Sequence, residues 1–132
     1  MARRGTQYVA FGLYYFVLMP ADVSGYGEAT SDVTAVPLNN SLWLCMMVAY
    51  CRERNITPIL ITTPSPVKWD MAKHNGLQAI ADELGIDYVD LNLVHTDLGI
   101  DWDKDTFDAG DHLNVYGAVK VSRYVGEYLS RA

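Results

Sequence analysis

Two short strand-like runs separated by one helical stretch constrain this chain more than anything else in it. PILITT at 58–63 is a continuous apolar run with β-branched residues, the pattern of a strand covered on both faces in a parallel sheet, and IDYVDL at 86–91 reads as another short strand. Between them, Trp69, Ala72, Leu77, Ile80, Ala81 and Leu84 recur at helical spacing over 69–84, and Gly85 is placed to end that helix. Strand, helix, strand in this order makes a right-handed crossover, so the two strands are expected to lie parallel in one sheet.

The flanks extend the pattern. Residues 42–54 are apolar on nearly every side until Arg52, with Asn39, Asn40 or Ser41 as the cap and Asn55 as the stop. Such a helix is expected to be buried against the sheet. Its cysteines, Cys45 and Cys51, are separated by about 240° around the axis and read as two unpaired, buried thiols. A last helix over 115–129 is expected to turn Val119, Val121, Tyr124, Val125, Tyr128 and Leu129 inward. The order predicts an α/β fold, a parallel sheet with flanking helices.

Residues 20–40, rich in Gly, Ser, Thr, Asp and Pro, read as an irregular connection. This divides the chain into an N-terminal apolar segment and connection over 1–37 and an α/β domain over 38–132. Arg3 and Arg4 followed by the apolar run 8–19 leave two readings open, a buried strand or helix and a signal-peptide-like leader. The chain is accordingly cytoplasmic or exported; the run is too short to span a bilayer. A net charge of −6 with scattered basic residues argues against nucleic acid as a partner.

In parallel sheets the loops leaving the carboxyl ends of strands form the functional crevice. The second such loop contains TFDAGDHLNVYGAVK at 106–120, a histidine flanked by acids just before a helix. Serine esterases use such a pair: the imidazole takes the serine proton, and a carboxylate fixes its tautomer and stabilises the imidazolium.

The run D-x-G-D-H-L-N-x-x-G-A-x-K before an amphipathic helix resembles the last sequence block of SGNH/GDSL-type serine hydrolases. Upstream, Cys-Arg-Glu-Arg-Asn-Ile at a helix end, Thr-Thr-Pro-Ser-Pro after a strand and Tyr-Val-Asp-Leu-Asn extend the resemblance over 38–132. It implies a partial version of the flavodoxin-like, three-layer SGNH fold and hydrolysis of O-acyl esters, of small molecules or carbohydrates, without a cofactor. By resemblance His112 is the general base, Asp108 or Asp111 its orienting acid, and Asn114 and Gly117 the turn into the last helix. The commonest family spacing puts the acid where Ala109 stands, and Asp108 is favoured because an adjacent aspartate points differently from the histidine.

The family's Gly-Asp-Ser block and its oxyanion-hole glycine and asparagine find no match. Ser24, Ser31 and Ser65 lack the strand-to-loop context of a nucleophile. Ser65, Trp69 and Asn114 are candidate substrate contacts, and His74 and Asn75 could join Trp69 along the cleft. His74 and His95 otherwise read as surface residues. Asp97, Asp101, Asp103, Asp105, Asp108 and Asp111 alternate like a calcium loop but lack its sixth-position glycine and terminal glutamate, so a solvated acidic loop without metal is expected. The competing reading is a non-catalytic α/β binding or assembly module that self-associates through the N-terminal apolar segment.

Overall fold

The computed structural model of the chain describes residues 18–131. The apolar run at 8–19 therefore lies almost wholly outside the described residues. Among the described residues, three helices and two strands follow in the expected order: α1 (Leu38–Arg52), β1 (Ile59–Thr62), α2 (Met71–Leu84), β2 (Asp87–Asp90) and α3 (Val115–Leu129). The strands pair in parallel, with Ile59 opposite Asp87 and Thr62 opposite Asp90.

The pleat sorts the side chains onto two faces. Ile61 and Val89, paired in register, face the apolar core of Leu91, Leu98, Ile100 and Val121, to which Tyr124 and Val125 of α3 and Trp102 and Leu113 of the long loop add. Thr62, Tyr88 and Asp90 face the other way, where Trp69 and α2 meet them through hydrogen bonds. One face of the sheet is thus dry and the other polar.

Helix ends follow local chemistry. Asp70 caps α2 by accepting the Lys73 N–H at 2.8 Å, and Gly85 closes it in the left-handed region at φ 61°. Beyond α1, Asn55 takes φ 55° and the Ile56 N–H returns to the carbonyl of Cys51, the stop its sequence position suggested. The start of α1 differs from expectation. The helix begins four residues early at Leu38, after Pro37, with no side-chain cap, and Ser41 is an internal residue that donates to the Leu38 carbonyl. Pro37 stands at the N-cap position, where its carbonyl accepts the N–H groups of Asn40 and Ser41.

Burial departs further. Only Val48 of α1 is buried, while Leu38, Leu42, Trp43, Met46, Met47 and Tyr50 are exposed, so the expected burial against the sheet is not met. Helical pattern specifies an apolar surface but not its cover. Cys45 is likewise exposed and Cys51 half-buried, both as free thiols rather than buried ones. In α3, Val119 and Leu129 face solvent instead of the core.

Residues 18–37 are irregular, whereas 38–40 of the expected connection belong to α1, and 18–36 run along the rest of the molecule as a strap. Met19 N–H bonds to the Thr106 carbonyl, Ala21 N–H to Trp102, and Thr34 N–H to Ala72. Asn75 donates to the carbonyls of Thr30 and Asp32, tying the strap rather than lining a cleft. No helix among the described residues is long and apolar enough to cross a membrane.

Candidate functional site

The histidine loop is shaped by its own backbone. An antiparallel bridge between Thr106 and Leu113 closes it at the base. Asn114, fully buried, caps α3 with Oδ1 accepting the N–H groups of Tyr116 and Gly117, while its Nδ2 donates to the Lys104 and Thr106 carbonyls. Gly117 is required there, because a Cβ would lie 2.6 Å from the Asp105 carbonyl oxygen. Asn114 therefore brackets the loop, and its burial closes it to a substrate.

Within that frame Asp108 receives His112 twice. Its Oδ1 accepts the His112 backbone N–H and its Oδ2 meets the ring Nδ1, each at 2.6 Å. Burial pushes the Asp108 carboxyl up, but the two His112 hydrogen bonds outweigh it and hold the group below the ordinary carboxylate value. An ionised Asp108 can only accept, so Nδ1 carries the proton and Nε2 is the atom left for chemistry. The His112 side chain is 66% exposed, stacked on Phe107 at 5.9 Å between centroids.

Asp111 does something else. Its carboxylate faces Lys68 Nζ at 3.4 Å. Between the two acids the sequence left open, the structure puts Asp108 on the ring. Ligand atoms of Asp108, Asp111 and His112 lie within 4.8 Å of one another, a clustering common among exposed acidic groups.

An open depression of about 440 Å³ borders His112, and Thr62, Ser65, Lys68, Trp69, Asn92 and Asp111 line it at the carboxyl ends of the strands. Of the candidate contacts, Trp69 and Ser65 thus stand beside the histidine, though both are mostly buried. Ser24 and Ser31 lie on the strap and are exposed.

A second histidine–carboxylate pair, not expected from the sequence, lies behind the depression. His74 is no surface residue: its Nδ1 meets Asp90 Oδ2 at 2.7 Å, with side-chain exposures of 15% and 2%. The same oxygen accepts Trp69 Nε1 at 2.8 Å and Tyr88 Oη at 2.9 Å, and Oδ1 accepts Thr62 Oγ1 and both nitrogens of Asn92. Burial would raise the Asp90 carboxyl, yet bonds from Asn92, Thr62 and His74 hold it below the usual range. Asp90, at the carboxyl end of β2, was the available signal.

His95 is not a surface residue either. It is half-buried, accepts Trp102 Nε1 at 3.2 Å, and contacts Tyr26 at 4.8 Å between centroids; burial lowers its pKa. The acidic loop also is not simply solvated. Asp105 is buried and its Oδ2 accepts Lys120 Nζ at 2.5 Å and the Asp101 N–H at 2.7 Å.

Comparison with protein-family models, with curated proteins and with solved structures returned no match.

Proposed function

We propose that the chain carries the base half of an SGNH/GDSL-like ester hydrolase, with His112 as general base and Asp108 as its orienting acid. The observation that supports this is the 2.6 Å contact of His112 Nδ1 with Asp108 Oδ2, which leaves Nε2 on an exposed ring beside a depression at the strand ends. In the reaction, Nε2 accepts the proton of a serine hydroxyl as that oxygen attacks an acyl carbonyl, and Asp108 stabilises the imidazolium formed. The substrate is an O-acyl ester of a small molecule or carbohydrate. In this reading β1 and β2 are the carboxyl-terminal part of the family's larger three-layer sheet.

The serine is a separate requirement. Ser65 lines the depression, but its hydroxyl proton is engaged by the carbonyls of Gly110 and Asp111. The nucleophile and the oxyanion donors would come from a longer reading frame. Fluorophosphonate labelling of that longer protein is the test: labelling that disappears in His112→Ala supports the reading, and labelling indifferent to that change, or none at all, removes it.

The exposed apolar face of α1 favours a second reading, a non-catalytic assembly module. Size-exclusion chromatography over a range of concentrations separates them, since a strict monomer without esterase activity on a short acyl ester would fit neither assembly nor independent catalysis.

A further inference from the structure

Ser65 sits where the two halves of the site meet. It is buried; its N–H donates to Asn92 Oδ1 at 2.8 Å, and its hydroxyl donates toward the carbonyl oxygens of Gly110 at 2.9 Å and Asp111 at 3.1 Å. These are the two carbonyls immediately before His112. The Lys68 N–H donates to the same hydroxyl oxygen at 3.2 Å, so the group bridges its own turn to the histidine loop.

Its seat is fixed from behind. Asn92 Nδ2 donates to Asp90 Oδ1 at 2.7 Å and to the Thr63 carbonyl at 3.2 Å, and its Oδ1 also accepts Tyr26 Oη at 2.7 Å. A continuous path of hydrogen bonds thus runs from the buried Asp90 carboxylate through Asn92 and Ser65 to the backbone before His112.

The loop needs such a hold. Ala109 and Gly110 take φ 59° and 98° in succession, and a left-handed alanine persists only where its surroundings over-determine it. From inside the loop, Thr106 Oγ1 accepts the Gly110 N–H and donates to the His112 carbonyl, both at 2.8 Å. From outside, Ser65 supplies the second restraint.

We infer that Ser65 is a positioning residue: its hydroxyl, seated by Asn92 and Asp90, latches the Gly110–Asp111 backbone and so holds the His112 imidazole on Asp108. The inference rests on the proposed function for what His112 does, while the latch itself is independent of the chemistry. It also gives the serine beside the depression a role other than attack.

Residue-resolved hydrogen exchange by NMR on the full chain tests it. In Ser65→Ala the His112 amide, bonded to Asp108, is expected to exchange about tenfold faster, the loss of one ordinary hydrogen bond. The Trp69 indole proton, bonded to Asp90, is expected to keep its rate, and Ser65→Thr, which retains the hydroxyl, to restore that of His112. An unmoved His112 rate, an equal acceleration of both protons, or a threonine variant as fast as alanine overturns the latch. Should Ser65→Ala fail to fold, the unaltered chain decides in increasing urea: the Lys68 and His112 amides are expected to open with one urea dependence, and unrelated openings overturn the inference. Failed labelling by fluorophosphonate with the exchange coupling intact would remove only the esterase reading; labelling without the coupling would remove only the latch.

Discussion

His74 Nδ1 lies 2.7 Å from Asp90 Oδ2, in the same contact that His112 makes with Asp108 at 2.6 Å, yet the first pair is buried and the second is open to solvent. Surroundings assign the roles. Asp90 accepts bonds from Thr62, Trp69, His74, Tyr88 and Asn92 and so ties both strands to α2. Asp108 accepts the backbone N–H of His112 and meets its ring, which stays exposed.

Removing the buried carboxylate should be costly. Asp90→Asn replaces an acceptor of several donors with a group that must donate itself, leaving His74, Trp69 or Tyr88 unpaired in the interior. A buried donor left without its acceptor costs about 1–3 kcal/mol. Urea denaturation of the variant is expected to show that loss; a change below about 1 kcal/mol would mean that the network is not the scaffold described, since an ordinary single hydrogen bond is worth that much.

The pH dependence has a definite sign. Asp90 and Asp108 are both held below the ordinary value of 3.8 that they regain on unfolding. Between the unfolded and native values the unfolded chain binds more protons, so acidification favours it. Stability from these groups is fully present above about pH 5 and drains as pH falls through 3.8 and below. The urea midpoint should therefore decline on acidification below that range, less steeply in Asp108→Asn; a midpoint flat down to about pH 3 would contradict the bonding assigned to both groups.

The two acids of the histidine loop should separate in function. If His112 is the base, Asp108→Asn leaves the loop's shape but presents the ring in the wrong tautomer, a loss of about 10³- to 10⁴-fold in labelling rate. Asp111→Asn removes only an ion pair to a largely exposed lysine and should change the rate by less than about threefold. A larger loss in Asp111→Asn than in Asp108→Asn would reverse the assignment.

The strand and helix order and the Asp–His loop were legible in the sequence because each is written in consecutive residues. PILITT and IDYVDL announce strands, though β1 is only half-buried throughout, and Gly85 announces a helix end. What was not legible depends on partners far apart in the chain: Asp90 with His74 and Trp69, Ser65 with Gly110, Lys120 with Asp105. A lone histidine at 74 carries no mark of its carboxylate, and periodicity in α1 cannot say whether anything covers it.

The strap should be sensitive to one glycine. Gly76 lies inside α2, where alanine would ordinarily gain about 1 kcal/mol. A Cβ there, however, would sit 1.9 Å from the Thr34 carbonyl oxygen, a backbone atom that cannot swing aside. Overpacking of this kind costs about 1–3 kcal/mol, so the steric effect wins. Gly76→Ala is expected to lower the melting temperature and to speed exchange of the Thr34 N–H, which bonds to the Ala72 carbonyl. A stabilised variant would show that the strap does not lie on α2.

The uncovered face of α1 yields the last contrast. Trp43 and Met46 are 64% and 60% exposed, whereas Val48, on the same helix, is 2% exposed. In a monomer with this arrangement, Trp43→Glu or Met46→Glu removes almost no buried area and should change unfolding free energy by less than about 0.5 kcal/mol, the usual scale for surface changes. Val48→Ala, by creating a small cavity, should cost about 1–2 kcal/mol. The comparison also reports on assembly, because a chain that self-associates through α1 is stabilised by mass action and loses that increment when a charge enters the interface. Glutamate at 43 or 46 would then lower the unfolding midpoint at high protein concentration and leave it unchanged at low concentration, and a midpoint independent of concentration in both chains would exclude α1 as the assembling surface.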